Sequence, residues 1–343
     1  MTTDELRSLV RKWDNEKTTD PVAKSEYGSI LNLLDYHATK EWRLYLPAEH
    51  PDFNPNYIER LAAWIGNVKD EEDQKLLLKY ASRISFFSHD DFTALYRTAM
   101  NREIARWVAT EVHASLKMGG KAFHQLIETE IHQHTWFCPI TDSMDINEFY
   151  KVNHLKGVGH RPGFATLQML AECAGSPNVQ LAQNVQCYMR GLRNPIRRLI
   201  LLEDIVGSGS QCITAIKWAV GNLGIPVLFV PLKLCPNGVK ALRDEVDQSK
   251  GKLTVRPVIE LRRCDLIGPE RNGAQGLPNA NEIESLAERY ASRASDNAET
   301  FGFKNTGCSL ATFSNTPDNT LPIVHHKPSS GAWEPLFPRV FRD

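Results

Sequence analysis

RLILLEDIVGSGSQ, residues 198–211, passes from an apolar run through two adjacent carboxylates to a glycine-serine turn. Leu199, Ile200, Leu201 and Leu202 are too few for a helix and show no polar alternation, the mark of a strand covered on both faces. Glu203 and Asp204 close that run, Ile205 and Val206 follow, and Gly207-Ser208-Gly209-Ser210 forms a loop. From 211 to 223, Ile213, Ile216, Val220 and Leu223 share one face of a helix, and a second apolar run occupies 225–232. Strand, loop, helix and strand make a βαβ unit, and continuous apolar strands predict a parallel sheet with helices on both sides.

In such sheets ligands bind beyond the carboxyl ends of the strands. The loop 203–210 lies there. Gly207 and Gly209 let the backbone turn tightly, successive N–H groups at a helix start form an anion nest, and Ser208 and Ser210 add hydroxyls. That set fits one phosphate monoester. Carboxylates beside a phosphate repel it unless they hold something else, such as the vicinal hydroxyls of a sugar or Mg²⁺ through water. Phosphate, diol and magnesium together describe a ribose 5-phosphate ligand. The chain lacks GxxxxGK[ST], which excludes a P-loop NTPase, and its glycine spacing does not fit GxGxxG. A plain tight turn after a strand is the alternative reading.

Working outward, residues 1–130 read as a helical region and 131–343 as the α/β domain with an extended C-terminal tail. A helix over 70–84 places Leu76, Leu77, Tyr80 and Ile84 on one face, with Asp70 to Asp73 favouring its N-terminus. Ser88 and Asp91 have capping-box spacing before a helix that carries Phe92, Leu95, Tyr96 and Met100 inward. Trp13, Trp42, Trp64 and Trp107 read as core. Ser176-Pro177 reads as a helix start. Further strands are expected at 135–140, at 253–261 (with Pro257 as an edge or bulge) and at 308–313, and a helix at 281–294.

Net charge is −1, so no basic excess suggests nucleic acid or an anionic membrane surface, and direct nucleic-acid binding is disfavoured. No apolar run approaches the roughly 20 residues that span a bilayer. Seven cysteines without a CxxC pair read as reduced thiols, and a charged N-terminus argues against a signal peptide. A cytoplasmic protein without membrane contact is expected. His132, His134 and Cys138 lack a fourth ligand at zinc spacing, and His325-His326 is discounted likewise.

The segment LEDIVGSGSQ resembles the PRPP-binding signature of type I phosphoribosyltransferases: a hydrophobic strand, two acidic residues, two apolar residues and a Thr/Gly-rich loop. That resemblance implies that Glu203 and Asp204 hold the ribose 2- and 3-hydroxyls and Mg, and that Gly207, Ser208, Gly209, Ser210 and Gln211 cradle the 5-phosphate. Ser210 stands where those enzymes usually carry a second glycine, and Gln211 where they carry threonine. With CPITDS upstream, SNTPDNTLPI downstream and WEPLFPR at the close, the chain is similar over most of its length to the PRTase-CE family of bacterial conflict systems. The resemblance implies a type I phosphoribosyltransferase-like fold serving anti-phage defence beside other components of a defence module.

Such folds also need a pyrophosphate-contacting loop. Asp142 and Ser143, after the first α/β strand, are candidates, as are Arg262 and Arg263, whose guanidinium groups suit phosphate oxygens. Asn315, Thr316 and Asn319 follow another strand and suit recognition of an acceptor. Each has an ordinary alternative as a cap, a solvated charge or a turn residue. Two functions follow: an effector acting at the anomeric carbon of PRPP or a related nucleotide-like ligand, or a non-catalytic sensor or partner-binding subunit with the same fold.

Overall fold

The computed structural model describes residues 1–16, 25–51, 53–113, 119–156, 163, 178–296 and 299–340. Helices α1 (Thr3–Glu16), α2 (Glu26–Lys40), α3 (Tyr57–Ile65) and α4 (Glu71–Ala81) precede strand β1 (Ser85–Phe87). Then come α5 (His89–Thr98), a π-helical turn (Ala99–Ile104), α6 (Ala105–Glu111), α7 (Gly120–His134), β2 (Thr135–Pro139), α8 (Ile146–Val152) and α9 (Asn178–Gly191). The central unit follows as β3 (Arg198–Val206), α10 (Ser210–Asn222), β4 (Val227–Leu234), α11 (Pro236–Gln248), β5 (Leu253–Val255) and β6 (Ile259–Glu260). The chain closes with α12 (Ala280–Ala294), β7 (Leu310–Thr312) and α13 (Pro322–His325).

The chain divides into two compact units, Met1–Asp91 with Arg262–Asp343, and Phe92–Leu261. The division falls inside α5. The boundary anticipated at residue 130 lies within the second unit, where α7 runs directly into β2.

In the first unit the expected capping box is present, and Asp70, expected only to favour the helix start by its charge, is an N-cap as well. The Asp70 carboxylate accepts from the Asp73 N–H at 3.0 Å to start α4. Ser88 and Asp91 form a reciprocal box, with the Ser88 N–H donating to Asp91 at 2.8 Å and the Asp91 N–H to the Ser88 hydroxyl at 3.2 Å. Trp13, Trp42 and Trp64 are buried in its core. The region is not all helical: β1 pairs in parallel with β7, which the strand expected over 308–313 becomes. The proline-rich tail is packed, with Trp333, Leu336 and Phe337 fully buried.

The second unit holds a parallel sheet in the order β2-β3-β4-β5, with β6 also on β4. This is the α/β architecture read from the apolar strands. Its core gathers Trp136, Leu199, Leu201, Ile216, Val227 and Phe229, and Trp107 is buried elsewhere in the same unit. At the entry edge Arg198 donates to Glu130 at 2.7 Å, a buried ion pair that ties the start of β3 to the end of α7. Pro257, without an N–H, divides the expected strand 253–261 into β5 and β6.

β3 does not stop at Leu202 but continues to Val206, because β4 keeps pairing with it (Glu203 with Pro231, Ile205 with Lys233, Val206 with Leu234). Glu203 and Asp204 are therefore strand residues, and the loop shortens to 207–209. Ser176-Pro177 and Cys173 lie outside the described residues; the other cysteines are free thiols.

Candidate functional site

β2 ends at Pro139, opposite Leu202, so β3 loses its neighbour on that side while β4 still holds the other. The turn after β2 fills the vacated edge. The Ile140 N–H makes the last sheet bond, to the Leu202 carbonyl at 3.0 Å. The Thr141 N–H then donates to Glu203 Oε2 at 3.1 Å and the Thr141 hydroxyl to Glu203 Oε1 at 2.5 Å. The Ser143 hydroxyl donates to Asp204 Oδ1 at 2.8 Å and lies 2.7 Å from the Thr141 hydroxyl. Asp142, between them, is exposed.

The two carboxyl groups are each 5% exposed. Burial, and then the charge of Asp204, hold the Glu203 carboxyl well above the usual carboxylate range, against the pull of the Thr141 hydrogen bonds. A hydrogen bond between the two carboxyl groups acts in the same direction. Glu203 therefore keeps its proton to a higher pH than an exposed glutamate does. Cys212, at the base of α10, hydrogen-bonds the Gly209 carbonyl at 3.1 Å. Burial and the nearby Glu203 push its thiol up to about 12, so it is no thiolate nucleophile.

The loop beyond the pair turns on Gly209, whose φ of 82° lies in the left-handed region. A Cβ there would also sit 3.4 Å from the Ala241 Cβ. Gly209 caps α10, and the Ile213 N–H returns to its carbonyl at 3.0 Å. The first N–H groups of a helix have no acceptor inside it, which leaves them for a ligand or solvent. The Ser208 and Ser210 hydroxyls stand 3.1 Å apart over that start, and Gln211 is exposed beside them. Gly238, in α11, sets how closely the next helix approaches: a Cβ there would lie 2.9 Å from Val206 Cγ1 and 3.0 Å from the Gly207 oxygen.

Thr141, within the turn 140–143 that carries Asp142 and Ser143, makes two bonds to Glu203. Two buried residues of the same unit had no signal in the sequence. Lys233, paired with Ile205, is fully buried with Nζ 4.0 Å from the Phe92 ring centroid. The buried Tyr96 hydroxyl is held above its ordinary range by burial, and then by Asp145, Asp204 and Glu148.

The remaining candidates belong to the first unit. Arg262 is exposed and paired with Asp265 at 2.9 Å, and Arg263 donates to the Glu270 carbonyl at 2.9 Å. The Asn315 amide donates to the Val340 carbonyl at 2.7 Å, the buried Thr316 hydroxyl to the Phe337 carbonyl at 3.2 Å, and the Asn319 amide to Thr306 at 3.1 Å. Asn315 and Thr316 thereby tie the tail, and Asn319 ties its own loop to Thr306. Among the described residues no three His, Cys, Asp or Glu side chains are arranged to hold a metal ion, and no helix is long and apolar enough to cross a membrane.

A parallel sheet flanked by helices, with an acidic strand end leading into a left-handed glycine and a helix start, defines the phosphoribosyltransferase-like class of α/β protein. The family PRTase-CE matches residues 61–339, and the chain belongs to it. No curated protein and no solved structure matches the chain.

Proposed function

We propose that the chain binds PRPP or a related ribose 5-phosphate ligand at the end of β3. The observation that carries this reading is the succession on one continuous segment of a buried acidic pair, a left-handed glycine and a helix start. Gly207 to Gln211 take the 5-phosphate through N–H groups and the two serine hydroxyls. Glu203 and Asp204 take the ribose hydroxyls. The same pair fits Mg²⁺ held through water, since that ion keeps most of its waters and asks only one or two carboxylates of a protein. Bound there, Mg²⁺ would offset the charge of a pyrophosphate group.

As an effector in a bacterial defence module, the chain would act at the anomeric carbon. Its part is then positional and electrostatic: Asp204 supplies negative charge near the ribose as positive charge develops. The Ser210 and Gln211 departures, and the Thr141 and Ser143 hydroxyls already on the carboxylates, favour the alternative of a ligand-holding sensor or partner-binding subunit. Calorimetry with PRPP and Mg²⁺ is expected to give saturable binding, lost in Glu203→Ala/Asp204→Ala. Undiminished binding by that double variant would remove the reading. Pyrophosphate release by the isolated chain would select the effector over the sensor.

A further inference from the structure

The hydroxyls of Thr141 and Ser143 lie 2.7 Å apart, the spacing of neighbouring hydroxyls on a cis vicinal diol. One donates to Glu203 at 2.5 Å and the other to Asp204 at 2.8 Å. Those are the contacts that a bound ribose would make with the same carboxylates. The Thr141 N–H takes the second Glu203 oxygen at 3.1 Å. Glu203 and Asp204 are each 5% exposed, and the oxygens that a diol would use already accept from the turn.

We propose that Thr141 and Ser143 are an internal stand-in for the diol, and that the site is self-inhibited until the turn over residues 141–143 leaves the carboxylates. The proposal rests on the reading of Glu203 and Asp204 as the ribose site. Between the end of β2 at Pro139 and the start of α8 at Ile146 the chain has no helix or strand, so the turn can withdraw without breaking either element. A ligand that needs the withdrawn state binds with an affinity reduced by the fraction of molecules in that state. Any partner that captures the turn would raise ligand affinity, which makes the turn a point of control.

The test is calorimetric titration of the full chain with PRPP and Mg²⁺ in three forms. Thr141→Val/Ser143→Ala, which removes both hydroxyls, is expected to bind at least about tenfold tighter than the wild type. Thr141→Ser/Ser143→Thr, which keeps both, is expected to bind as the wild type does. Should the first variant not fold, Ser143→Ala leaves both Thr141 bonds in place and is expected to shift affinity in the same direction. Binding equal to or weaker than wild type on loss of the hydroxyls overturns self-inhibition and leaves the ligand reading standing. Absence of binding in every form overturns both.

Discussion

Trp64 and Trp333 donate their indole N–H groups to a single acceptor, the Ile323 carbonyl, at 2.6 and 2.8 Å. The C-terminal tail is therefore part of the first unit's core. Arg60 reinforces it, donating Nε to the Leu336 carbonyl at 3.0 Å, and Asn67 exchanges hydrogen bonds with the Glu334 backbone at 2.8 and 3.0 Å. Trp333→Ala is expected to cost about 3–5 kcal/mol, the usual loss for emptying a buried aromatic site. Trp333→Phe, which removes one of two donors to the shared carbonyl, should cost less, about 1–2 kcal/mol. Urea unfolding followed by circular dichroism measures both, and an unchanged midpoint for the alanine variant would contradict the packed tail.

Glu203 gives a pH signature to the second unit. Its folded carboxyl titrates well above the ordinary value of 4.5, with burial the first cause and Asp204 the second. Below that ordinary value both folded and unfolded chains hold the proton, and no stability difference arises. As pH rises through it, the unfolded chain ionises while the folded one does not, so stability falls until the folded carboxyl itself titrates. Glu203→Gln should therefore raise Tm at pH 8, at roughly 2–4 °C for each 1 kcal/mol relieved, and leave it nearly unchanged at pH 4. Thermal melts at the two pH values check the sign; an equal shift at both would mean that titration is not the cause.

The central βαβ unit was readable because its strands are apolar without interruption and its helix keeps one apolar face. The Ser88–Asp91 box was readable because capping is a local rule of residue type and spacing. The end of β3 was not. Adjacent carboxylates favour solvent, and the continued pairing of β3 with β4, Glu203 with Pro231 and Ile205 with Lys233 included, holds them in the sheet. The contact of Thr141 and Ser143 with the acidic pair depends on where β2 stops against β3, a register that no local pattern encodes. For the same reason the partners of Asn315 and Thr316 in the tail, and of Asn319 at Thr306, are not legible in the sequence.

His325 gives the opposite pH dependence in the first unit. It is fully buried, its Nε2–H donates to the Thr320 carbonyl at 3.1 Å, and burial, then Arg339 and His326, lower its pKa from 6.5 to about 3. The neutral ring fits the site and the charged ring does not. Above the ordinary value both states are neutral and stability is intact. As pH falls below 6.5 the unfolded chain takes up a proton that the folded one refuses, so stability declines toward pH 3. The loss from this one group reaches roughly 2–3 kcal/mol by pH 4.5. His325→Gln, which can still donate to Thr320, should be less stable than wild type at pH 8 yet show a shallower decline between pH 6.5 and 4.5. Parallel stability curves for the two proteins would assign the acid sensitivity elsewhere.

Gly209 and Gly221 are both on the β3–α10 segment and separate loop geometry from helix propensity. Gly209 has φ of 82°, with the Ala241 Cβ 3.4 Å from where its own would stand, whereas a Cβ on Gly221 meets nothing within 4 Å. Gly209→Ala must hold an L side chain in the left-handed region, at a cost of about 1 kcal/mol, or change the turn. Either response moves the N–H groups that would meet a phosphate, so PRPP affinity should fall by more than about tenfold, beyond what the stability loss explains. Gly221→Ala, within the helix, should raise stability by about 0.5–1 kcal/mol and leave affinity unchanged. Melting curves and PRPP titrations on the two variants make the comparison. Equal affinity in Gly209→Ala and Gly221→Ala would separate the glycine turn from phosphate recognition and require the ligand's phosphate to be held elsewhere.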